Sequence, residues 1–441
     1  MKYSIYNFLF KNQGFSLLYN AVTDGILILD HQVAEYVEKF RYNIEALKTI
    51  HNKLFIDMIE KGMIVDDASN ETENVINRWK KEDNDPTNYY LTILPTLSCN
   101  LRCWYCYEEH LEHSIMSNLV RDNIVKFINK RTEDKKLNNL HIDLFGGEPL
   151  LYFDRTVLPI LEQASESCKK RGKNLILHFT TNGVLINDDI LKKITALNLC
   201  QKPSFQITLD GNRRFHDATR YTVDKCPTFD LVLDNICKTL KYGMPVNCRL
   251  NYSANNIDSF VDLLDEFEKR ISEKEKDLLF FDFQQVWQEG HLVNIRQKAI
   301  ELADLFRKHL YKVRVEKQYN SQRCKNDSEN QASINYDGLV YKCTAINITH
   351  KNNEGILNNN GDIEWNLLYK ERMRIKYGNS VCKKCEIFPI CHGGCSQNKL
   401  NSNGVAKCIM NKNQEQRRNV VIGRIKFLMQ NQIPIELKIP E

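Results

Sequence analysis

Residues 91–109, LTILPTLSCNLRCWYCYEE, join a short apolar run to three cysteines on one polar segment. The run at 91–94 predicts a β-strand, and Cys99, Cys103 and Cys106 follow it closely. Three thiolates on one tight loop can ligate three irons of a four-iron cluster and leave the fourth iron without a protein ligand. The competing chemistry is a structural zinc site, which wants a closed set of four ligands and would recruit His110 or His113 as the fourth.

Outward from this loop the pattern alternates. Apolar runs at 91–94, 142–145, 175–179, 205–209, 246–252 and 278–283 are separated by segments long enough for crossover helices. This predicts an α/β fold with a partial parallel (β/α)6 barrel over residues 89–314. Parallel barrels gather their sites at the C-terminal ends of strands. Those ends carry Gly146, Gly147, Glu148 and Pro149, then Thr181 and Asn182, then Thr208 and Asp210, with His216, Asp217 and Arg220 close behind. Glycines let a backbone approach a ligand, and Glu148 can balance an ammonium.

Upstream, GFSLLYNAVTDGILILD (14–30) predicts two strands around Thr23, Asp24 and Gly25, a tight-turn sequence. Val33, Val37, Phe40 and Ile44 recur at helical spacing, and the apolar segment 54–64 breaks at Gly62. Together they predict a winged-helix-like module that ends in a polar linker at 66–88. Past residue 314 the alternation stops, and 315–412 is expected to form a small cysteine-rich α+β domain. A closing helix and tail follow at 413–441, with Val420, Ile422, Ile425 and Leu428 as the helix's apolar face.

The chain has 441 residues, 42% hydrophobic and 27% charged, and its net charge of +5 is no footprint for nucleic acid. Residues 1–10 lack a signal-peptide pattern and no apolar run is long enough to span a membrane, so a cytoplasmic location is expected. In a reducing compartment, 15 cysteines point to metal or redox chemistry. Seven of them, Cys324, Cys343, Cys382, Cys385, Cys391, Cys395 and Cys408, crowd the C-terminal region, with CKKCEIFPICHGGC at 382–395. Cys168, Cys200, Cys226, Cys237 and Cys248 lie singly, as small core residues do. Solvated roles are expected for His110, His113 and His392.

The cysteine triad, with Tyr105 just before its third member and Gly146-Gly147-Glu148-Pro149 one strand later, resembles the radical S-adenosylmethionine superfamily. That resemblance implies a radical-generating cluster at Cys99, Cys103 and Cys106. It places Tyr105 near the adenine of S-adenosylmethionine, the segment from Gly146 to Pro149 at its amino group, and Thr181, Asn182, Thr208 and Asp210 among the further cofactor contacts. The spacing of the C-terminal cysteines resembles the SPASM auxiliary-cluster domain. It implies one four-iron cluster at Cys382, Cys385, Cys391 and Cys408, and another at Cys324, Cys343 and Cys395, three clusters in all. Relatives with a fully ligated first auxiliary cluster carry a further cysteine where KNDSENQASINYDGLVYK (325–342) has none. That cluster is therefore expected to have an open iron, a non-cysteine ligand such as Asp327 or Glu329, or a distant cysteine.

SLLYNAVTDGILIL (16–29) resembles the leader-recognition element of peptide maturases. The implied activity is therefore hydrogen abstraction from a ribosomally made precursor peptide to form a thioether or carbon–carbon crosslink. A flavodoxin or ferredoxin would donate electrons, and no nucleic acid or membrane would be involved. One alternative is an anaerobic sulfatase maturase, although those enzymes carry an aspartate where this chain has Thr344. Another is a non-catalytic peptide-binding or electron-transfer partner.

Overall fold

The computed structural model describes residues 1–12, 14–290, 293–315, 323–402 and 407–432. It divides into one unit of Met1–Asn84, Lys317–Ser328 and Glu371–Glu441, and a second of Asp85–Glu316 and Glu329–Lys370.

In the first unit, β1 (Lys2–Tyr3) pairs with β5 (Ile64–Val65), and β2 (Asn7–Lys11), β3 (Ser16–Asn20) and β4 (Ile26–Leu29) form an antiparallel sheet in that order. Asn20 shapes the β3–β4 turn, its side-chain oxygen accepting from the amides of Val22 and Thr23. Asp24 tolerates the left-handed φ of 57° that follows. Helices His31–Phe40, Ile44–Ile50 and Asn52–Glu60 come next, each capped by a side chain that accepts a first-turn amide: Asp30, Asn43 and His51.

The linker expected at 66–88 is instead largely a helix, Glu71–Asp83. Its Val75 and Ile76 lie four and three residues before Trp79, and the three form a buried stripe that overrides the polar composition. They pack in one cluster with Tyr6, Leu17 and Tyr19 of the N-terminal sheet region, Phe388 and Ile390 of the cysteine-rich segment, and Val420 and Ile425 of the C-terminal helix Gln414–Gln432. Each such buried side chain contributes about 1.5–3 kcal/mol.

The second unit is built on one sheet of eleven strands. Its parallel part comprises β6 (Asn88–Leu94), β7 (Asn139–Leu144), β8 (Asn174–Thr181), β9 (Ser204–Leu209), β10 (Val246–Tyr252), β11 (Leu279–Gln285) and β12 (Lys312–Val315). The six expected strands are β6 to β11. The seventh, β12, carries only two apolar residues, too few to register as a run. On the far side of β6, β13 (Gln331–Asn335) also pairs in parallel, followed by antiparallel β14 (Leu339–Tyr341), β15 (Gly355–Leu357) and β16 (Ile363–Trp365).

Strand alternation assigns the two faces. On β10, Val246, Cys248, Leu250 and Tyr252 are buried in the main hydrophobic cluster, while Asn247, Arg249 and Asn251 are half-buried on the opposite face. Helices such as Asn118–Glu133, Leu158–Lys170 and Phe229–Lys241 supply the apolar side chains that cover the first face. Cys168, Cys237 and Cys248 are core residues as expected, but Cys200 and Cys226 are exposed, because both fall in the loops that precede β9 and the helix Phe229–Lys241. Among the described residues no helix is long and apolar enough to cross a membrane.

Candidate functional site

The loop after β6 is held by short polar residues. Ser114 Oγ accepts from the Leu97 amide at 2.9 Å, and Ser98 Oγ donates to Leu111 O at 2.7 Å. The loop after β7 zips onto it: the Gly147 amide donates to Thr96 O at 3.1 Å and the Glu148 amide to Ser98 O at 2.9 Å. This approach needs the paired glycines. Gly146 has φ of 111°, and a Cβ on Gly147 would lie 2.2 Å from Ser98 O.

These loops open onto a cavity of about 220 Å³ lined by Cys99, Cys103, Tyr105, Cys106, Gly146, Gly147, Thr181, Asn182 and Thr208. Glu148 and Asp210 adjoin it through their hydrogen bonds. Glu148 is fully buried and accepts from Thr181 Oγ1 at 2.7 Å, the Asn182 amide at 2.8 Å and the Leu150 amide at 3.0 Å. Burial raises its pKa despite those donors. Burial, reinforced by the Glu148 charge, pushes the Cys99 thiol up to about 12, and burial also raises Cys103 and Cys106.

Behind the triad, the Tyr105 hydroxyl donates to Asp210 Oδ2 at 2.6 Å and accepts from Arg220 at 2.8 Å, and Arg220 lies 3.8 Å from Asp210. Asp210 Oδ1 and Arg220 Nε are buried, with no hydrogen-bond partner among the described residues. His216 supports this group from below: its Nδ1 accepts from the Asp210 amide at 3.4 Å, and its Nε2 is 3.2 Å from Thr228 Oγ1. Burial, aided by Arg220, holds His216 well below the ordinary histidine pKa, so it is neutral.

In the first unit, Cys382, Cys385, Cys391 and Cys408 line a second, smaller cavity with Phe388 and Arg417. Cys324 and Cys395 belong to this unit, whereas Cys343 is buried in the other. Beside Cys324, Arg323 is buried between Asp83, at 3.1 Å, and Asp327, at 3.2 Å, and Lys376 reaches Asp83 at 3.1 Å. Asp327 is thus engaged in an ion network, while Glu329 is exposed. Among the described residues no three His, Cys, Asp or Glu side chains are grouped so as to hold a single metal ion.

Two histidines depart from the solvated roles expected of them. His110 is half-buried with Nε2 3.5 Å from Cys106 Sγ. His392 adopts a left-handed φ of 55° and packs edge-on against Trp79, with burial lowering its pKa to about 4. His113 is exposed as expected.

Several cavity residues escaped the sequence reading, among them Glu108, Arg249, Asn251, Gln285 and Gln288. The signal for Arg249, Asn251 and Gln285 was available, since they are polar residues at or near the C-terminal ends of β10 and β11. Glu108 had no such signal. Burial raises its pKa to about 7, and its Oε1 has no partner among the described residues.

Residues 93–267 match the Radical SAM superfamily. The cysteine-type anaerobic sulfatase-maturating enzyme of Clostridium novyi is 25% identical over 350 residues, covering 70% of this chain and 88% of that protein. The radical SAM cyclopropyl synthase TigE of Paramaledivibacter caminithermalis is 23% identical over 436 residues, covering 86% and 85%. Among solved structures, native anSMEcpe with bound AdoMet superposes with a TM-score of 0.54 at 19% identity, covering 77% of this chain and all 100% of that one. Streptococcus suis SuiB bound to S-adenosylmethionine gives 0.50 at 16% identity, over 94% of this chain. The chain carries a Radical SAM superfamily domain, and the loop bearing Cys99, Cys103 and Cys106 is the first loop of that domain.

Proposed function

We propose that this chain is a radical S-adenosylmethionine enzyme that oxidises a ribosomally made precursor peptide, forming a thioether or carbon–carbon crosslink. The carrying observation is that the triad loop and the Glu148 loop share one cavity, with polar strand ends around it. The residues suit the cofactor pair. Three thiols on one loop leave an iron free, Glu148 retains acceptor capacity for an ammonium, and the two glycines clear room for a ligand beside the backbone. When bound, such a pair supplies a one-electron cleavage that delivers a 5′-deoxyadenosyl radical able to take a hydrogen atom. The chain's own part is to orient that radical: Tyr105, steadied by Asp210, Arg220 and Asn251, bounds one side, and Thr181 and Asn182 with Glu148 hold the other.

In this reading Cys382, Cys385, Cys391 and Cys408 hold one auxiliary cluster. The peptide substrate draws support from relatives: SuiB has been solved with the precursor peptide SuiA, and anSMEcpe with the Cp18Cys peptide. The N-terminal sheet offers a place for a leader. Strand β4 is a sheet edge with Ile28 52% exposed, and an extended peptide can add to such an edge as a further strand. Because β2 and β3 share a core with the cysteine-rich segment, a point change such as Ile28→Pro tests recognition more cleanly than deleting the module.

The test is anaerobic co-expression with a small reading frame beside the gene, followed by weighing the peptide. Loss of hydrogen pairs supports crosslinking. Unchanged mass with inverted chirality shows epimerisation, and an untouched peptide together with a formylglycine-bearing sulfatase shows the maturase alternative. A reduced, reconstituted protein that never yields 5′-deoxyadenosine favours the non-catalytic partner.

A further inference from the structure

Among the described residues, the cleft contains a cation, Arg249, that no carboxylate of the chain pairs with. Arg249 stands on β10, in register with Thr208 of β9 on one side and Asp282 of β11 on the other, and it lines the cavity. Its Nε donates to Asn251 Oδ1 at 2.9 Å, and Asn251 donates to the Tyr105 hydroxyl at 3.1 Å. The carboxylates on the strands to either side, Asp282 on β11 and Asp210 just past β9, each have a partner of their own. Arg314 closes on Asp282 at 3.0 and 2.7 Å and Gln284 adds a bond at 2.8 Å, while Asp210 is held by Tyr105 and Arg220. Among the described residues no carboxylate pairs with Arg249.

A guanidinium is always charged and presents a rigid fork that matches a carboxylate. Engaging Nε fixes the plane of the fork and leaves both terminal nitrogens for an end-on, bidentate partner. We propose that Arg249 anchors a carboxylate of the peptide substrate, so that the modified segment carries an aspartate, a glutamate or a free C-terminus beside the reacting residue. The inference rests on the peptide-maturase reading. That reading puts the cofactor's own carboxylate elsewhere, because it shares a carbon with the ammonium assigned to Glu148. Glu148 follows β7, and β10 lies three strand spacings away, about 14 Å at ~4.8 Å each. Thr180, Gln206 and Gln285 add polar groups to the same cavity.

The experiment compares acetyl-Gly-Glu-Gly-amide with acetyl-Gly-Gln-Gly-amide by saturation-transfer NMR. The sample is the reconstituted, S-adenosylmethionine-loaded full chain, as wild type, Arg249→Lys and Arg249→Gln. We expect the wild type to prefer the glutamate peptide by about tenfold or more, tenfold being the lower end for a charge-assisted bond. Arg249→Lys should keep part of that preference and Arg249→Gln none, with S-adenosylmethionine affinity unchanged in all three. Equal response to the two peptides, no response to either, or a loss of about tenfold or more in S-adenosylmethionine affinity in Arg249→Gln overturns the inference. Formation of 5′-deoxyadenosine by the same wild-type sample reports separately on the radical reading, whose failure would show there and not in the peptide comparison.

Discussion

Replacing Gly147 by alanine should empty the radical site while leaving most of the fold intact. The added Cβ would meet Ser98 O at 2.2 Å, Ser98 C at 2.6 Å and Leu97 C at 2.7 Å, all backbone atoms that no rotamer change can move aside. The closest contact is roughly 1 Å inside ordinary C···O separation, so the loop after β6 must retreat by about that much. Cys99 is the next residue along that loop, and a metal–thiolate site tolerates only about 0.2 Å. The strain itself should cost about 1–3 kcal/mol, too little to unfold a protein of this size. Gly172→Ala makes the control: its φ of 64° imposes backbone strain, but nothing lies within 4 Å of the new Cβ. Iron and sulfide content after anaerobic reconstitution, together with 5′-deoxyadenosine formation, decide the matter. Gly147→Ala should lose about four irons per chain and all cleavage, and Gly172→Ala should lose neither. Wild-type iron and turnover in Gly147→Ala would refute the argument that the two loops are in register for the cluster.

Glu148→Gln should weaken S-adenosylmethionine binding by about 10–150-fold, the value of a charge-assisted hydrogen bond, with iron content unchanged in equilibrium dialysis samples. Neutral His216 makes stability depend on pH. Its folded pKa is depressed, so below about pH 6.5 the unfolded chain binds a proton that the buried ring refuses, and stability falls by up to about 1.4 kcal/mol per pH unit as the solution is acidified. Urea midpoints between pH 5 and 7.5 should show this slope in the wild type and a shallower one in His216→Gln; identical slopes would exclude the imidazole as its source. Asp83→Ala should destabilise the chain by about 3–5 kcal/mol, because Arg323 and Lys376 would remain buried without their shared carboxylate, and a thermal melt within a few degrees of wild type would contradict that.

Much of the fold was legible along the chain because strand runs and crossover lengths are local properties. The six strands β6 to β11, the β3–β4 hairpin and the C-terminal helix all follow from periodicity and turn chemistry within a dozen or so residues. The same holds for the triad and the Gly-Gly-Glu-Pro segment, whose spacing places them at consecutive strand ends. Where the reading failed, a long-range partner had overridden composition. The helix Glu71–Asp83 looked like linker until Phe388, more than 300 residues away, supplied a surface for Trp79. His392 looked solvated for want of the same ring.

The sequence by itself thus determined the chemistry offered, through residue types whose spacing survives any folding of the rest. Only the tertiary structure decided which charges remain free to meet a ligand. Arg314, not Arg249, neutralises Asp282, and Tyr105 with Arg220 occupies Asp210, because strand register sets which side chains come within a few ångströms. Pairing in space, unlike spacing along a chain, is fixed by contacts between segments far apart in sequence.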